Sequence, residues 1–445
     1  MLVMGVTRRE HRATFRSASF FSDKQYRIAG ITKDSSGNRL GNCVVDLFYT
    51  QDDTRAAQVL SDQDGNFTFL IGPSLACYIV AYKAGSPDVA GTTVNTLVGT
   101  AGTAITVPGY SGYFRSLTVN HTNVSSDQTD FPVLVSVTDA TLATIGNGGH
   151  VRSSNGYDIE FFSDTNAKNK LAWEIERYVP STGELIAWVK IPNLSSVTNN
   201  VFYIFYGDSS VTTDQSAPAA VWSNGFVAVY HLKDGTTLSA VDSLGNFNGT
   251  ITGSPGAVAG QIGGGASFNG SLSNRIDLSA PVITTPLTLT AWFKPGSDVT
   301  TNQPVVSLQD GSNGNNLYSV LVGSGLLSID NQDLTNGFTN PPTLNSVAAN
   351  TWQYAAAVNI SSTSRKIYLN ADSANSGGNS ALNNPINITT GEIGINRITG
   401  GVAFTGSIDE VHFANVARSA GWLLTEYNSQ NSPGTFITVG GELTI

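Results

Sequence analysis

A chain of 445 residues with 40% hydrophobic and only 13% charged side chains holds enough apolar material for two to four cores, which excludes a disordered chain. A formal net charge of −10 excludes nucleic acid as a main partner, because phosphate binding needs clustered Lys and Arg. No apolar run approaches the ~18 residues of a membrane-spanning helix, so membrane insertion is not expected.

The chain starts MLVMGVTRRE, which reverses the basic-then-apolar order of a secretory signal, so export by the usual route is not expected. Residues 1–25 form an arm without periodicity that mixes Arg8, Arg9, Arg12, Arg16 and Lys24 with Phe15, Phe20 and Phe21. It reads either as a mobile tail or as a segment that orders on a larger assembly. Interleaved Arg and Phe, both enriched at interfaces, favour docking through Arg8, Arg9, Arg12, Phe15, Arg16, Phe20 and Phe21.

Residues 26–107 carry strand signals at Tyr26–Thr32, Cys43–Thr50, Ala56–Ser61, Asn66–Ile71 and Cys77–Lys83, separated by Asp/Gly/Asn turns at 34–38 and 62–66. Cys43 and Cys77 fall on two of these strands. With two cysteines the chain has neither a disulfide framework nor a zinc site of four spaced ligands. Buried thiols are expected; a cross-strand disulfide is the alternative and needs Cα atoms within about 7 Å. The step "SDQDGNFTF" and the phrase "YIVAYKAGSPDVAGTTVNTLVG" resemble the carboxypeptidase regulatory-like, or transthyretin-like, domain, in a version carried by phage structural proteins. That resemblance implies a structural β-sandwich with no catalytic residues.

A small, uncharged linker over 100–109 ends at Pro108-Gly109. Residues 110–224 then alternate apolar and polar at Phe114–Val119, Phe131–Val137, Ile159–Phe162, Leu171–Tyr178, Leu185–Ile191 and Val201–Tyr206, with Trp173 and Trp188 as expected buried anchors. The motifs "DFPVLV", "GYDIEF", "GELIAWVKIPNL" and "IFYGD" occur in the order of a family of domains without assigned function. That family often precedes laminin-G-like modules in bacterial and phage surface proteins.

Residues 225–445 contain "GFVAVYHLKDG", "LTLTAWFKPG", "TWQYAAAVNI", "KIYLNADS" and "GSIDEVHFANVARSAGWLLTEYNS". Their order resembles the laminin-G-like, concanavalin A-like jelly roll, although "YLNADS" departs from the family's Asp-Gly hairpin. A helix is expected at Ser419–Tyr427, packing Trp422 on the sandwich. The fold class is therefore all-β: three tandem β-sandwich modules (transthyretin-like, a middle sandwich and a concanavalin A-like jelly roll) behind a basic arm.

The sequence assembles no reactive set. It lacks a G-x-S-x-G elbow and a P-loop. Glu174 and Glu176 share a strand face but lack the remaining acid of a retaining hydrolase, and are read as structural or solvated. Asp409 and Glu410 are adjacent, and neighbours on a strand point to opposite faces. The histidines, His11, His121, His150, His231 and His412, are scattered, with no HxxxH pair. An enzyme is not expected.

The laminin-G-like resemblance implies a rim calcium ion, for which Asp242 and Asp409 stand at the matching positions. The alternative is that Asp242 caps a turn and Asp409 pairs locally. It also implies glycan binding, for which the Asn- and Asp-rich stretches Gln309–Asn316, Asp330–Asn345 and Asp372–Asn384 are candidates, though they read equally as solvated connections.

Modules of extracellular type without an export signal fit a structural protein of a bacteriophage particle: a head decoration, fibre or tail appendage. Such a chain is made in the host cytoplasm, docks to other phage structural proteins through its arm, and displays a lectin-like module in many copies to host-surface glycans. A bacterial surface or secreted adhesin and a polysaccharide-degrading tail enzyme are the alternatives.

Overall fold

The computed structural model of the chain describes residues 26–445 apart from 35, 52, 72–75, 84–88, 93–99, 102–109, 234–236, 280–284, 312, 334–336, 340–341, 374–387 and 397–400. The proposed docking residues Arg8, Arg9, Arg12, Phe15, Arg16, Phe20 and Phe21 lie outside the described residues. The described chain is all-β, with short helices at Pro218–Val221, Ala420–Asn431 and Pro433–Phe436. It divides into two compact units, residues 1–116 with 440–445, and residues 117–439.

In the first unit the strands Arg55–Leu60, Val44–Tyr49, Cys77–Lys83 and Val89–Thr92 form one sheet in that order, and Asn66–Ile71, Tyr26–Ile31 and Thr100–Ala101 form another. The period-two side-chain alternation of a strand decides what they bury. Cys43, Val45 and Leu47 point inward from one strand, Cys77, Ile79 and Ala81 from its neighbour, and Ile28, Phe67 and Phe69 close the core. Both cysteines are buried and no disulfide joins them. Gly65 makes the turn before Asn66 possible: its φ is +77°, and a Cβ there would meet the Thr32 carbonyl oxygen at 2.7 Å.

The second unit contains two seven-stranded sheets among the described residues. One runs Gly256–Ala259, Gly264–Asn269, Thr405–Ala414, Leu287–Pro295, Gln353–Ser361, Ser364–Leu369, with Phe226–Tyr230 also paired to Thr405–Ala414. The other runs Gly249–Thr252, Arg275–Ser279, Thr390–Ile393, Gln303–Asp310, Asn313–Gly323, Leu326–Asp333, Gly337–Thr339. Leu287, Leu289, Ala291 and Phe293 from the first sheet and Val306, Leu308, Val320 and Val322 from the second bury one shared core.

The middle segment contributes the sheet Trp173–Val179, Glu184–Leu194, Gln128–Thr138, and a further sheet built on Asn200–Tyr206 and Tyr113–Val119. Residues 117–439 form one compact unit, which takes in most of 110–224 and of 225–445. Near its end the chain returns to the middle segment. Ile437–Val439 pairs with Val119, Thr118 and Leu117, because an edge strand's amides need a partner and the middle sheet offers one. The helix starts where expected, with the Ser419 hydroxyl accepting from the Trp422 N–H at 3.1 Å, but continues to Asn431. At the departure in "YLNADS", Asn370 and Ala371 both adopt the left-handed conformation a tight turn demands.

Candidate functional site

Leu287–Pro295 buries alternate residues in the jelly-roll core and turns Thr288, Thr290 and Trp292 to the opposite face. The helix Ala420–Asn431 lies on that face: Thr290 donates to Glu426 (3.3 Å) and Trp292 to Gln430 (2.6 Å). Trp422 packs its ring 4.7 Å from Phe131 of the middle segment, not only on the jelly roll, and carries the Arg418 guanidinium at 3.8 Å.

Two carboxylates reach this region through irregular backbone. On Thr405–Ala414, Trp292 pairs with Asp409 and Thr290 with His412, so one residue more stands on the second strand than on the first. Glu410 takes a φ of +48° in this bulge, which re-aims its side chain. Alternation around a regular strand would have placed Asp409 and Glu410 on opposite faces. On Trp173–Val179 the register shifts between Ile175 and Arg177, and Glu176 is the extra residue.

The result is a buried chain of hydrogen-bonding groups. The indole of Trp222 donates to Glu174 (2.8 Å), which faces His231 Nε2 (3.3 Å). His231 Nδ1 stands 2.9 Å from each oxygen of Glu410, and His412 Nε2 stands 2.9 Å from Glu410 Oε2. His412 Nδ1 lies 3.4 Å from Glu426, which accepts from the indole of Trp422 at 3.0 Å. Ser243 also donates to Glu174 (2.8 Å), and Trp188 donates to Glu176 (2.9 Å) while its ring stacks on His231. Glu174, Glu176, His231, Asp409, Glu410, His412 and Glu426 are all buried.

Burial and charge act against each other here. Burial pushes the Glu174 carboxyl up, but the His231 charge and the donors around it outweigh this and hold it at about 2. Burial, then repulsion from Glu410, raises Glu176 to about 8. Burial and the same repulsion raise Asp409, whereas His231 and His412 hold Glu410 down against burial. Both imidazoles resist burial and stay above their ordinary range because Glu410 and the outer carboxylates face them.

Glu174 and Glu176, read as structural or solvated, are therefore buried, and two of the scattered histidines meet. The sequence signal was the repeated two-residue spacing Glu174-x-Glu176 and Glu410-x-His412, which on a regular strand would put each pair on one face and which the bulges at Glu176 and Glu410 modify. The structure places Asp242 and Asp409, the expected calcium residues, among backbone donors. Asp242 Oδ1 accepts from the N–H groups of Val229 and Leu244 and Oδ2 from those of Asn246 and Phe247, so the carboxylate caps the turn. Asp409 accepts from Ile262 N–H and Glu410 N–H (2.9 and 2.8 Å). Among the described residues, the donors that converge are those of His231, Glu410 and His412, and neither aspartate joins them.

The candidate sugar-binding stretches are partly strand. Gln309 pairs with Leu317 in a hairpin, Asp330 lies within Leu326–Asp333, and most of 372–384 is outside the described residues. Across the second jelly-roll sheet, Asp277, Glu392, Ser307, Ser319 and Asp330 stand in register as one polar row. Glu392 and Ser307 in it are fully buried, and Gln309 and Ser307 both donate to Glu392.

Two family matches fall on this unit. Residues 269–423 match the concanavalin A-like lectin/glucanases superfamily. Residues 155–242 match a domain of unknown function, DUF2341. Glu174, Glu176 and His231 come from the second match, and Glu410, His412 and Trp422 from the first. A search of curated proteins gave no match. Among solved structures, domain 4 of an extracellular arabinanase from Geobacillus stearothermophilus, in complex with arabinotriose, is 21% identical at a TM-score of 0.39, covering 46% of this chain and 98% of that one. The binding domain of Paraclostridial Mosquitocidal Protein 1 is 13% identical at 0.38, covering 47% of this chain and 53% of that one. The receptor-binding domain of botulinum neurotoxin type G is 14% identical at 0.36, with 46% and 51% covered. The chain thus spans about half of each toxin domain.

Proposed function

We propose that this chain is a non-catalytic structural protein of a bacteriophage particle, and that its concanavalin A-like module binds host-surface glycans weakly and in many copies. One observation carries the non-catalytic part. Glu174, Glu176, Asp409, Glu410 and Glu426 are buried and held by indole, imidazole, hydroxyl and backbone donors, so none stands ready to protonate or attack a glycosidic bond. The lectin/glucanase match over 269–423 supports the glycan part, and the phage-type resemblance of residues 26–107 supports the virion part. Sugar contacts are sought in the Asn- and Asp-rich stretches Gln309–Asn316, Asp330–Asn345 and Asp372–Asn384, leaving out the buried Asp330 and Asn331, and display in many copies converts weak contacts into useful avidity.

The test has two arms. The protein should copurify with intact particles, and immobilised host capsule or lipopolysaccharide should retain multimerised protein without being shortened. Depolymerisation of the polysaccharide would establish a tail enzyme instead, and cell-envelope association in the absence of particles would establish an adhesin.

A further inference from the structure

We propose that His231, Glu410 and His412 form a buried site for a divalent transition metal of zinc type, with Glu176 as the fourth donor. One donor atom from each of the first three lies within 4.8 Å of the others. His231 Nδ1 and His412 Nε2 are each 2.9 Å from Glu410, and Glu176 Oε2 is 3.6 Å from His231 Nδ1. Zinc bonds of about 2.0–2.1 Å place tetrahedral donors about 3.4 Å apart, so a shift of a few tenths of an ångström opens these groups around an ion. Two imidazoles with carboxylates suit zinc and its neighbours, whereas calcium and magnesium take all-oxygen sets.

Two further features point the same way. Each imidazole turns one nitrogen to Glu410; His231 sets the other 3.3 Å from Glu174, and His412 Nδ1 lies 3.4 Å from Glu426 without a hydrogen bond to it. This carboxylate–histidine pairing fixes ring orientation and tautomer around bound metals. The outer carboxylates are in turn fixed by the Trp222 and Trp422 indoles. Second, Glu176 Oε2, the oxygen nearer His231, already accepts from Trp188 at 2.9 Å, while Oε1 of the same fully enclosed carboxylate is buried without a hydrogen-bond partner. A polar atom placed so is costly unless something binds it. His231 and Glu176 precede Glu410 and His412 by well over a hundred residues, so the ion would tie the two matched segments together.

The experiment uses the full chain, purified without a histidine tag or chelator. Elemental analysis should find one zinc per chain, chelation should lower Tm and added Zn²⁺ restore it. Cobalt substitution of the wild-type chain should give the visible absorption band of a tetrahedral nitrogen–oxygen site. His412→Gln and Glu410→Gln should lose the metal while His150→Ala keeps it. Should either variant fail to fold, the cobalt spectrum and the zinc response of the wild-type chain decide alone. A chain that carries no metal, shows no Tm response to Zn²⁺ and gives no cobalt band overturns the proposal and leaves a network held by protons.

Discussion

Trp222→Phe removes one N–H from a buried carboxylate while keeping most of the ring. Trp222 has no exposed surface, and its indole donates to Glu174 at 2.8 Å. Glu174 is held at about 2 and is ionised at any working pH, so the lost bond is charge-assisted and contributes about 1.5–3 kcal/mol. The smaller ring leaves a void costing about 1 kcal/mol more. The 117–439 unit should therefore lose about 3 kcal/mol. With a urea m-value of about 3 kcal/mol/M, at the upper end for small proteins, the midpoint falls by about 1 M. All six tryptophans (Trp173, Trp188, Trp222, Trp292, Trp352 and Trp422) lie in this unit, so fluorescence reports its unfolding. The same substitution in a Glu174→Gln background should cost at least about 1 kcal/mol less, because the remaining acceptor is neutral. A midpoint shift below about 0.2 M, or equal costs in the two backgrounds, would refute the claim that this indole stabilises a buried charge.

Three other expectations follow from the structure and the proposal. Burial pushes Asp330 from an ordinary 3.8 up to about 7, so the folded chain keeps a proton that the unfolded chain releases. Its contribution is present below pH 4 and lost as pH rises towards 7, by up to on the order of 4 kcal/mol. Asp330→Asn should flatten that decline in denaturation curves taken from pH 4 to 8; parallel curves would remove burial as the cause. Gly65→Ala must hold a φ of +77° with its Cβ against a backbone oxygen, which costs about 1–3 kcal/mol. It should speed thiol labelling of the buried Cys43 and Cys77, and unchanged labelling would count against the strain. Deleting residues 1–25 should abolish incorporation into particles without moving the fluorescence transition. Normal incorporation would take the docking role from Arg8, Arg9, Arg12, Phe15, Arg16, Phe20 and Phe21.

Individual strands were legible wherever alternation and turn residues agreed. Asn66–Ile71 and Cys77–Lys83 were readable to the residue, because Asp62-Gln63-Asp64-Gly65 marks the turn before the first and the second is an unbroken run rich in Tyr, Ile and Val. Leu185–Ile191 was found but extends to Glu184–Leu194, where polar flanking residues continue the ladder with Gln128–Thr138. The pairing of Ile437–Val439 with Tyr113–Val119 was not legible, since three residues are too few to show a period and the partner lies more than 300 positions away. How Asp242 uses its carboxylate was not legible either. A single aspartate can fill both oxygens with backbone N–H groups, as Asp242 does, and composition does not reveal that.

The candidate site divides along the same line. Its residue types and their two-residue spacing, Glu174-x-Glu176 and Glu410-x-His412, are properties of the sequence, but bulges at Glu176 and Glu410 decide where those two side chains point. The convergence of the two pairs, together with His231, arises from tertiary structure. A bulge that turns Glu410 through a left-handed backbone is held in place by the neighbouring strand Leu287–Pro295, and the face it serves exists only once the middle sheet packs against the jelly roll. Short-range pattern fixes which way a side chain points within its own strand; which charges it meets is fixed by burial of surfaces from distant parts of the chain.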